Sequence, residues 1–434
     1  METFVLCLFC SLLLLCLIAG IPVLYALSGG LLLFCLYAKH KGFSAKEILR
    51  MIFRSIYTIK NLLLVFLLVG MLTGLWRASG TIPTFLCYTS EFFEPRIFLL
   101  VAFLLNCILS FFTGTSLGTV ATIGVITMSV GTILHIPSAL LGGAILSGAY
   151  FGDRCSPFST SAMLVRELTG TNIYSNIQNM FRSAAIPFFL TCLIYLTISL
   201  TFSSGSAASV DPSSLFAQVF FLHPILLLPT VLVLFAALLR LDIKLSMLLG
   251  ILSSAALCLI FQHTDFISLL KILWRGYYAS DPALNNILQG GGIVSMLTAT
   301  VVVCITCSYV ELFKCTGLLN GIQMQFEKIC RRLGTFSGTF CACILIAAIS
   351  CNQTLSILLT HQLCKEVEKD AHRLALILED TAVLIPALLP WSIACSAPLA
   401  CAGAPTQSVI YAFFLWLVPA FGIIREQSLF RVNA

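Results

Sequence analysis

Long runs without Asp, Glu, Lys or Arg alternate along the chain with short polar and basic stretches. The first run extends from Thr3 to Ala38, and Gly20-Ile21-Pro22 divides it into two helical segments. Further runs cover Asn61–Trp76, Ile97–Gly152, Ser183–Val210, Pro212–Leu239, Leu245–Thr264, Pro282–Val310, Leu333–Cys364 and Thr381–Ile424. A spanning helix needs roughly 20 apolar residues, so the longest runs each hold more than one segment. Gly114, Gly118 and Pro137 punctuate one of them. The last carries Pro386, Pro390, Pro398, Pro405 and Pro419 and cannot be one straight helix. The runs are continuous rather than alternating, which excludes a spanning β-barrel. This pattern predicts about ten to twelve membrane segments.

The polar stretches orient the chain. Lys39, Lys41, Lys46, Arg50, Arg54 and Lys60 cluster after the first run, which places that stretch, and with it the N-terminus, on the cytoplasmic side. Its apolar residues Ile48, Ile52, Phe53 and Ile56 recur at helical spacing, as in a helix lying along a membrane surface. A second basic stretch, Lys314 to Arg332, is similar. No Lys or Arg precedes the first apolar run, so Thr3–Ile18 reads as a retained helix rather than a signal peptide.

Composition narrows the class. Of 434 residues only 10% are charged and 59% are hydrophobic. A typical soluble domain carries about 25% charged residues. A water-soluble enzyme and a disordered chain are both excluded. The net charge of +6 comes without a basic stripe interleaved with aromatics, so nucleic acid is not an expected partner. Nineteen cysteines are spread without regular spacing, and the pairs Cys7/Cys10 and Cys304/Cys307 sit inside apolar runs, as packing residues rather than metal ligands.

The two halves echo each other. Leu75-Trp76-Arg77-Ala78-Ser79-Gly80 matches Leu312-Phe313-Lys314-Cys315-Thr316-Gly317 in type, and Cys107-Ile108-Leu109 matches Cys343-Ile344-Leu345 at the same separation within one residue. That alignment sets the polar break Thr113-Gly114-Thr115-Ser116 against Ile349-Ser350-Cys351-Asn352, and Ser147-Gly148 near Glu379-Asp380. Paired breaks in corresponding halves are the sequence pointer to a secondary-transporter site, because unwound backbone at membrane depth must face protein or a watery cavity.

Three acids stand beside these breaks. Asp153 follows the Ile97–Gly152 run within Gly148-Ala149-Tyr150-Phe151-Gly152-Asp153-Arg154-Cys155-Ser156-Pro157, and Glu379-Asp380 precedes the Thr381–Ile424 run. A carboxylate at bilayer depth is costly unless paired, hydrated or protonated. Adjacent acids repel, which suits one of them to proton exchange. The plainer reading places Glu379 and Asp380 at the interface.

At these residues the chain resembles the NhaC-type sodium/proton antiporter family. Ser147 through Ser159, reading SGAYFGDRCSPFS, is similar to the family's signature; Gly114 through Gly124, reading GTSLGTVATIG, is similar to its preceding motif. Leu378-Glu379-Asp380-Thr381 with Ile385-Pro386 and Leu389-Pro390-Trp391 resembles a C-terminal motif, and Arg77-Ala78-Ser79-Gly80-Thr81-Ile82-Pro83 also fits. The resemblance runs from about Leu62 to Phe421 and implies an inverted-repeat transporter coupled to sodium ions or protons. The family also includes exchangers of organic acids such as malate and lactate. The chain departs from the pattern after Ser159, where an acid, hydroxyls and Asn are usual and Thr160, Ser161, Ala162 and Met163 stand. It departs again at Asn352, usually Asp, while the following Gln is kept as Gln353. Loss of two carboxylates weakens a sodium site and favours a proton-dominated cycle or a substrate bearing its own carboxylate.

The expected fold is an all-α polytopic membrane protein with two pseudo-symmetric, inverted repeats and broken helices or re-entrant hairpins. Residues 1–60 form N-terminal helices and a basic segment, 61–202 the first repeat, 203–290 connecting helices, 291–424 the second repeat and 425–434 a tail. The expected function is sodium/proton antiport across the cell membrane. The alternative is ion-coupled transport of a small organic acid or amino acid. Asp153 binds cation or proton and is the candidate sodium ligand. Thr115, Ser116, Ser156, Ser159, Thr160, Asn352 and Gln353 supply neutral ligands, and Glu379 and Asp380 carry or tune the proton. No cofactor is expected, sodium ions and protons being cargo; the partners are the bilayer and a small cation or organic substrate, and a homodimer is compatible with this. A passive channel is a more distant reading. So is an intramembrane serine hydrolase, because Gly114-Thr115-Ser116-Leu117-Gly118 matches the nucleophile pattern but lacks a strand–turn–helix setting. His361, His135 and Trp391 take ordinary interfacial or helix-end readings, with Trp391 also a candidate cavity wall.

Overall fold

A computed structural model describes residues 2–18, 23–89, 96–202, 216, 219–239, 241–279, 288–317, 334–365 and 367–432. The expected breaker at Gly20-Ile21-Pro22 and most of the second basic stretch lie outside the described residues. The described elements are helices, with no strand among them. The first half holds α1 (Glu2–Ile18), α2 (Val23–His40), α3 (Ala45–Thr58), α4 (Lys60–Ala78), α5 (Thr81–Thr89), α6 (Phe98–Thr113), α7 (Ser116–Thr119), α8 (Val125–Ile133), α9 (Ser138–Cys155), α10 (Thr160–Thr169) and α11 (Ile173–Phe202). The second holds α12 (Leu228–Leu238), α13 (Ile243–Ile260), α14 (Phe266–Arg275), α15 (Leu297–Thr316), α16 (Thr335–Ser350), α17 (Gln353–Cys364), α18 (Ala371–Asp380), α19 (Ile393–Ala402) and α20 (Phe413–Val432).

Among the described residues four helices are single, long and apolar enough to cross a membrane: α4, α11, α13 and α15 extended back to Ile293. A fifth span arises if Ala371–Leu388 and Ile393–Ala402, bent by 58°, are one broken crossing. This is fewer uninterrupted spans than the ten to twelve segments expected. The reason is local: helix breaks divide the apolar runs into shorter apolar helices such as Phe98–Thr113, Ser116–Thr132 and Thr335–Ser350. The proline-rich last run behaves as expected. It contains a 3₁₀ turn at Ile385–Leu388, α19, a second 3₁₀ turn at Thr406–Tyr411, and α20. The residues after Ile424, expected as a tail, continue α20 to Val432.

Helix α3 covers the basic segment, but of its expected apolar surface row Ile48 is buried and Ile52 and Ile56 are half-buried against the protein, leaving Phe53 exposed. Ser44 and Glu47 form a reciprocal capping box at its start. The Ser44 backbone and hydroxyl groups hold the exposed Glu47 carboxyl below its ordinary range. Leu49, Phe53 and Tyr57 are exposed beside the basic Lys46, Arg50 and Arg54, while the other face packs on α15. Helices α1 and α2 dock on α15 through an aromatic knot. Phe9 and Phe34 meet edge-on at 5.0 Å, and Phe34 meets Tyr309 and Phe313 at 5.0 and 4.8 Å.

Small residues set the tightest packing, between α6 and α9. A Cβ at Gly148 would stand 2.6 Å from the Asn106 Cβ, and one at Gly152 would fall on the backbone of Ser110 and Phe111. Two glycines four apart let the helices approach at backbone distance, as small-xxx-small faces do in membranes. The Ser110 hydroxyl donates to the Ala149 carbonyl across the same contact. Tyr150 then donates to the Ala394 carbonyl of α19 at 2.7 Å, joining the two halves.

Candidate functional site

The two predicted breaks have the same backbone form. Helix α6 ends at Gly114 in the left-handed region (φ 68°), followed by extended Thr115 and the start of α7. Helix α16 ends at Cys351 in the same region (φ 52°), followed by extended Asn352 and the start of α17. Glycine suits the first position twice over. Its φ is positive, and a Cβ there would stand 2.5 Å from the Phe158 carbonyl carbon and 2.8 Å from the Ser159 nitrogen. The first break therefore packs against the turn that leaves α9. Beyond it, Val120–Gly124 forms a π-helical turn, a feature enriched at functional sites. The second break is braced by α19, where Ile393 N–H donates to the Cys351 carbonyl at 2.9 Å and Trp391 Nε1 to the Ala348 carbonyl at 3.0 Å.

Asp153 lies in the last turn of α9, buried at 3% exposure. Its Oδ1 accepts from Ser159 Oγ at 3.2 Å and its Oδ2 from Gln353 Nε2 at 3.1 Å. Gln353 also donates to the Val383 carbonyl at 2.9 Å. Ser161 Oγ donates to the backbone carbonyl of Asp153 at 2.9 Å and stands 2.8 Å from Ser159 Oγ. One carboxylate, two hydroxyls and an amide thus converge from α9, the start of α10, and the first residue of α17. The chain distance between Asp153 and Gln353 is bridged by the packing of α10 on α17.

A second cluster adjoins it. Arg154 is fully buried, and its Nη2 pairs with Asp380 Oδ1 and donates to Ser183 Oγ at 2.6 Å. Its Nη1 donates to the Met180 carbonyl at 3.1 Å. Arg425 of α20 approaches the other Asp380 oxygen at 3.8 Å. Asp380 is therefore engaged in a buried ion pair. Glu379 differs. It is 0% exposed, neither carboxyl oxygen finds a hydrogen-bond partner among the described residues, and it lies within electrostatic reach of Arg154, Asp153 and Asp380. These two acids stand inside the protein rather than at the interface.

The structure brings Asp153, Ser159 and Gln353 into direct contact and sets the other predicted residues apart from that contact. Ser156 is buried but accepts from Phe158 N–H in the turn after α9. Thr160 is exposed at the start of α10. Asn352 caps α17, its Oδ1 accepting from Leu355 N–H at 3.1 Å. Thr115 and Ser116 line the first break, partly buried, with the Thr115 carbonyl accepting from Thr119 Oγ1 at 2.8 Å. Ser116 begins a helix after a helix break, not after a strand, so the hydrolase setting is not met. Sequence reasoning left out Ser161, Ser183 and the pairing role of Arg154. Arg154 carried a signal, being a full charge inside an apolar motif; the serines carried none, since hydroxyls occur throughout the chain.

Buried charged side chains gathered beside breaks in apolar helices are the arrangement that secondary active transporters use. The chain belongs to the Na+/H+ antiporter family, which residues 4–165 and 148–425 match. It is 30% identical to the malate-2H(+)/Na(+)-lactate antiporter of Bacillus subtilis, over 81% of this chain and 77% of that one. It is 30% identical to the Na(+)/H(+) antiporter NhaC of the same bacterium, over 88% and 87%. The NhaC antiporter of Alkalihalophilus pseudofirmus is 27% identical over 83% and 82%.

Proposed function

We propose that the protein exchanges sodium ions for protons across the cell membrane through the Asp153 site. The observation that carries this reading is the convergence on Asp153 of hydroxyl and amide groups from both halves, beside a buried carboxyl group that has no hydrogen-bond partner among the described residues. Sodium prefers hard oxygen ligands, and Asp153, Ser159 and Ser161 are of that kind, while Gln353 turns its amide N–H toward Asp153 and the Val383 carbonyl. In this mechanism Asp153 binds either cation or proton and Glu379 carries the second proton. An ionised carboxylate buried without a partner is the costliest charge in the site, and a proton removes that cost. Arg154 holds Asp380 in place, so Asp380 positions the end of α18 rather than shuttling protons. Ser156, Thr160 and Asn352 serve the turns and caps that aim these groups, and Thr115 and Ser116 form the opposite wall. The two halves act as inverted repeats within the boundaries 61–202 and 291–424, and one bundle moves past the other to open the site to each side in turn. The N-terminus and α3 face the cytoplasm.

Purified protein in proteoliposomes tests this. Imposing a sodium gradient is expected to alkalinise the sodium-poor compartment, read by an internal pH dye, without any organic substrate. Exchange that requires an added organic acid overturns it in favour of the second reading, ion-coupled exchange of an organic acid. That reading is favoured by neutral Thr160 and Asn352 and by the similarity to the malate/lactate antiporter.

A further inference from the structure

A second site lies away from Asp153. A cavity of about 580 Å³ opens between the halves, walled by α4 and α8 on one side and by α15 and α19 on the other. This volume is in the range of small-molecule sites. Arg77, in the last turn of α4, is the one charged residue in its lining. Its Nη1 donates to the Thr73 carbonyl of its own helix at 2.9 Å. Among the described residues no carboxylate pairs with Arg77, whereas the buried Arg154 is matched by Asp380. A guanidinium carries five N–H donors, and the one bond that Arg77 makes among the described residues leaves donors for a ligand in the cavity it lines.

Four hydroxyls in the wall are of a different kind. The hydroxyls of Thr73, Ser129, Ser295 and Ser396 donate to backbone carbonyls at 3.1, 2.8, 2.7 and 2.9 Å. Their protons are committed, and they offer lone pairs to a ligand. Most of the remaining wall is apolar, with Met296, Trp391 and Leu399 prominent. The backbone on the Arg77 side is fixed by a close approach: Gly292 N–H donates to the Gly70 carbonyl at 2.6 Å, and a Cβ at Gly74 would stand 3.1 Å from Gly292 N.

From this arrangement we propose that the cavity binds a short monocarboxylate, with Arg77 as the anchor for its carboxylate. The apolar wall takes the carbon chain, and the committed hydroxyls accept from any hydroxyl the ligand carries. One cation matches one anion. A dicarboxylate would bury its second charge with no second cation in the lining to meet it. The site is distinct from the Asp153 cluster, shares no residue with it, and does not depend on the sodium reading.

The test is equilibrium binding of radiolabelled butyrate to the purified full-length protein in detergent. Saturable binding is expected, and Arg77→Gln should weaken it by about tenfold to a hundredfold, the loss of a charge-assisted hydrogen bond. Succinate should compete about a hundredfold less well than unlabelled butyrate. Leu399→Trp, which crowds the cavity and leaves Arg77 in place, should abolish binding, and thermal unfolding of both variants within a few degrees of wild type shows that neither loss comes from misfolding. Wild-type protein without saturable butyrate binding, Arg77→Gln binding as wild type, or succinate competing equally overturns the proposal. Sodium/proton exchange of the wild type is read separately by its own dye, so failure of either reading is seen alone.

Discussion

Asp153 and Glu379 are both buried carboxyl groups, yet their surroundings differ. Asp153 accepts hydrogen bonds at both oxygens, while Glu379 has none among the described residues. Asp153→Asn keeps the shape but replaces an anionic ligand with a neutral one. Sodium affinity in proteoliposome exchange is expected to fall about tenfold to a hundredfold. Glu379→Gln removes an acid that has no partner among the described residues, so the purified protein should unfold at the same or a higher temperature while exchange depends less steeply on pH, Asp153 still titrating. Asp380→Asn should behave in the opposite way. Leaving Arg154 buried without its partner costs about 3–5 kcal/mol, so thermal unfolding in detergent should show strong destabilisation. Replacing the pair together, Arg154→Met with Asp380→Leu, should recover much of that loss.

The helix pairs that carry these residues depend on small side chains and one strained position. Gly152 lets α9 press on α6, and Asp153 follows it directly. Gly152→Ala places a methyl on backbone that cannot yield, at a cost of about 1–3 kcal/mol. It should lower the unfolding temperature and impair exchange together, because the shift moves Asp153. Cys351 adopts the left-handed conformation that Gly114 adopts at the matching break. A β-branched residue is poorly tolerated there. Cys351→Ile should therefore reduce folded yield and transport, whereas Cys351→Gly should stay within about 1 kcal/mol of wild-type stability, relief of strain offsetting the added freedom of the unfolded chain.

Across the whole molecule, charge sets orientation and apolar surface sets the solvent. Large side chains such as Phe189, Val231, Leu252 and Ile260 point outward from α11, α12 and α13, as lipid-facing residues do. Helix α3 lays an exposed apolar row beside Lys46, Arg50 and Arg54, and Arg54 reaches Glu311 of α15 at 3.6 Å. A reporter that fluoresces only when folded in the cytoplasm, fused to the N-terminus, should be bright. Neutralising Lys39, Lys41, Lys46, Arg50, Arg54 and Lys60 together should dim it by inverting or scrambling the first helices. Brightness unchanged by that neutralisation would show that other charges orient the chain.

Much of this architecture follows from local rules. Absence of charge over many residues permits only a helix in lipid, because every backbone polar group must be satisfied within the segment. The scarcity of charge likewise marked Asp153, Glu379 and Asp380, since a carboxylate among apolar residues is retained only where something compensates it. The breaks at Gly114 and near Cys351 were legible as polar, small-residue interruptions. Which side chains meet was not legible. Gln353 reaches Asp153 because α10 packs on α17, and Asp380 is neutralised because α18 passes Arg154. Asn352 and Gln353 are neighbours in the chain, yet one caps a helix and the other joins the site. Composition and pattern along the chain determined the solvent, the secondary structure and the unusual residues, because those depend on each residue's own transfer energy. Partnership among the residues was decided by tertiary packing, because a hydrogen bond depends on distances that helix contacts set across the fold.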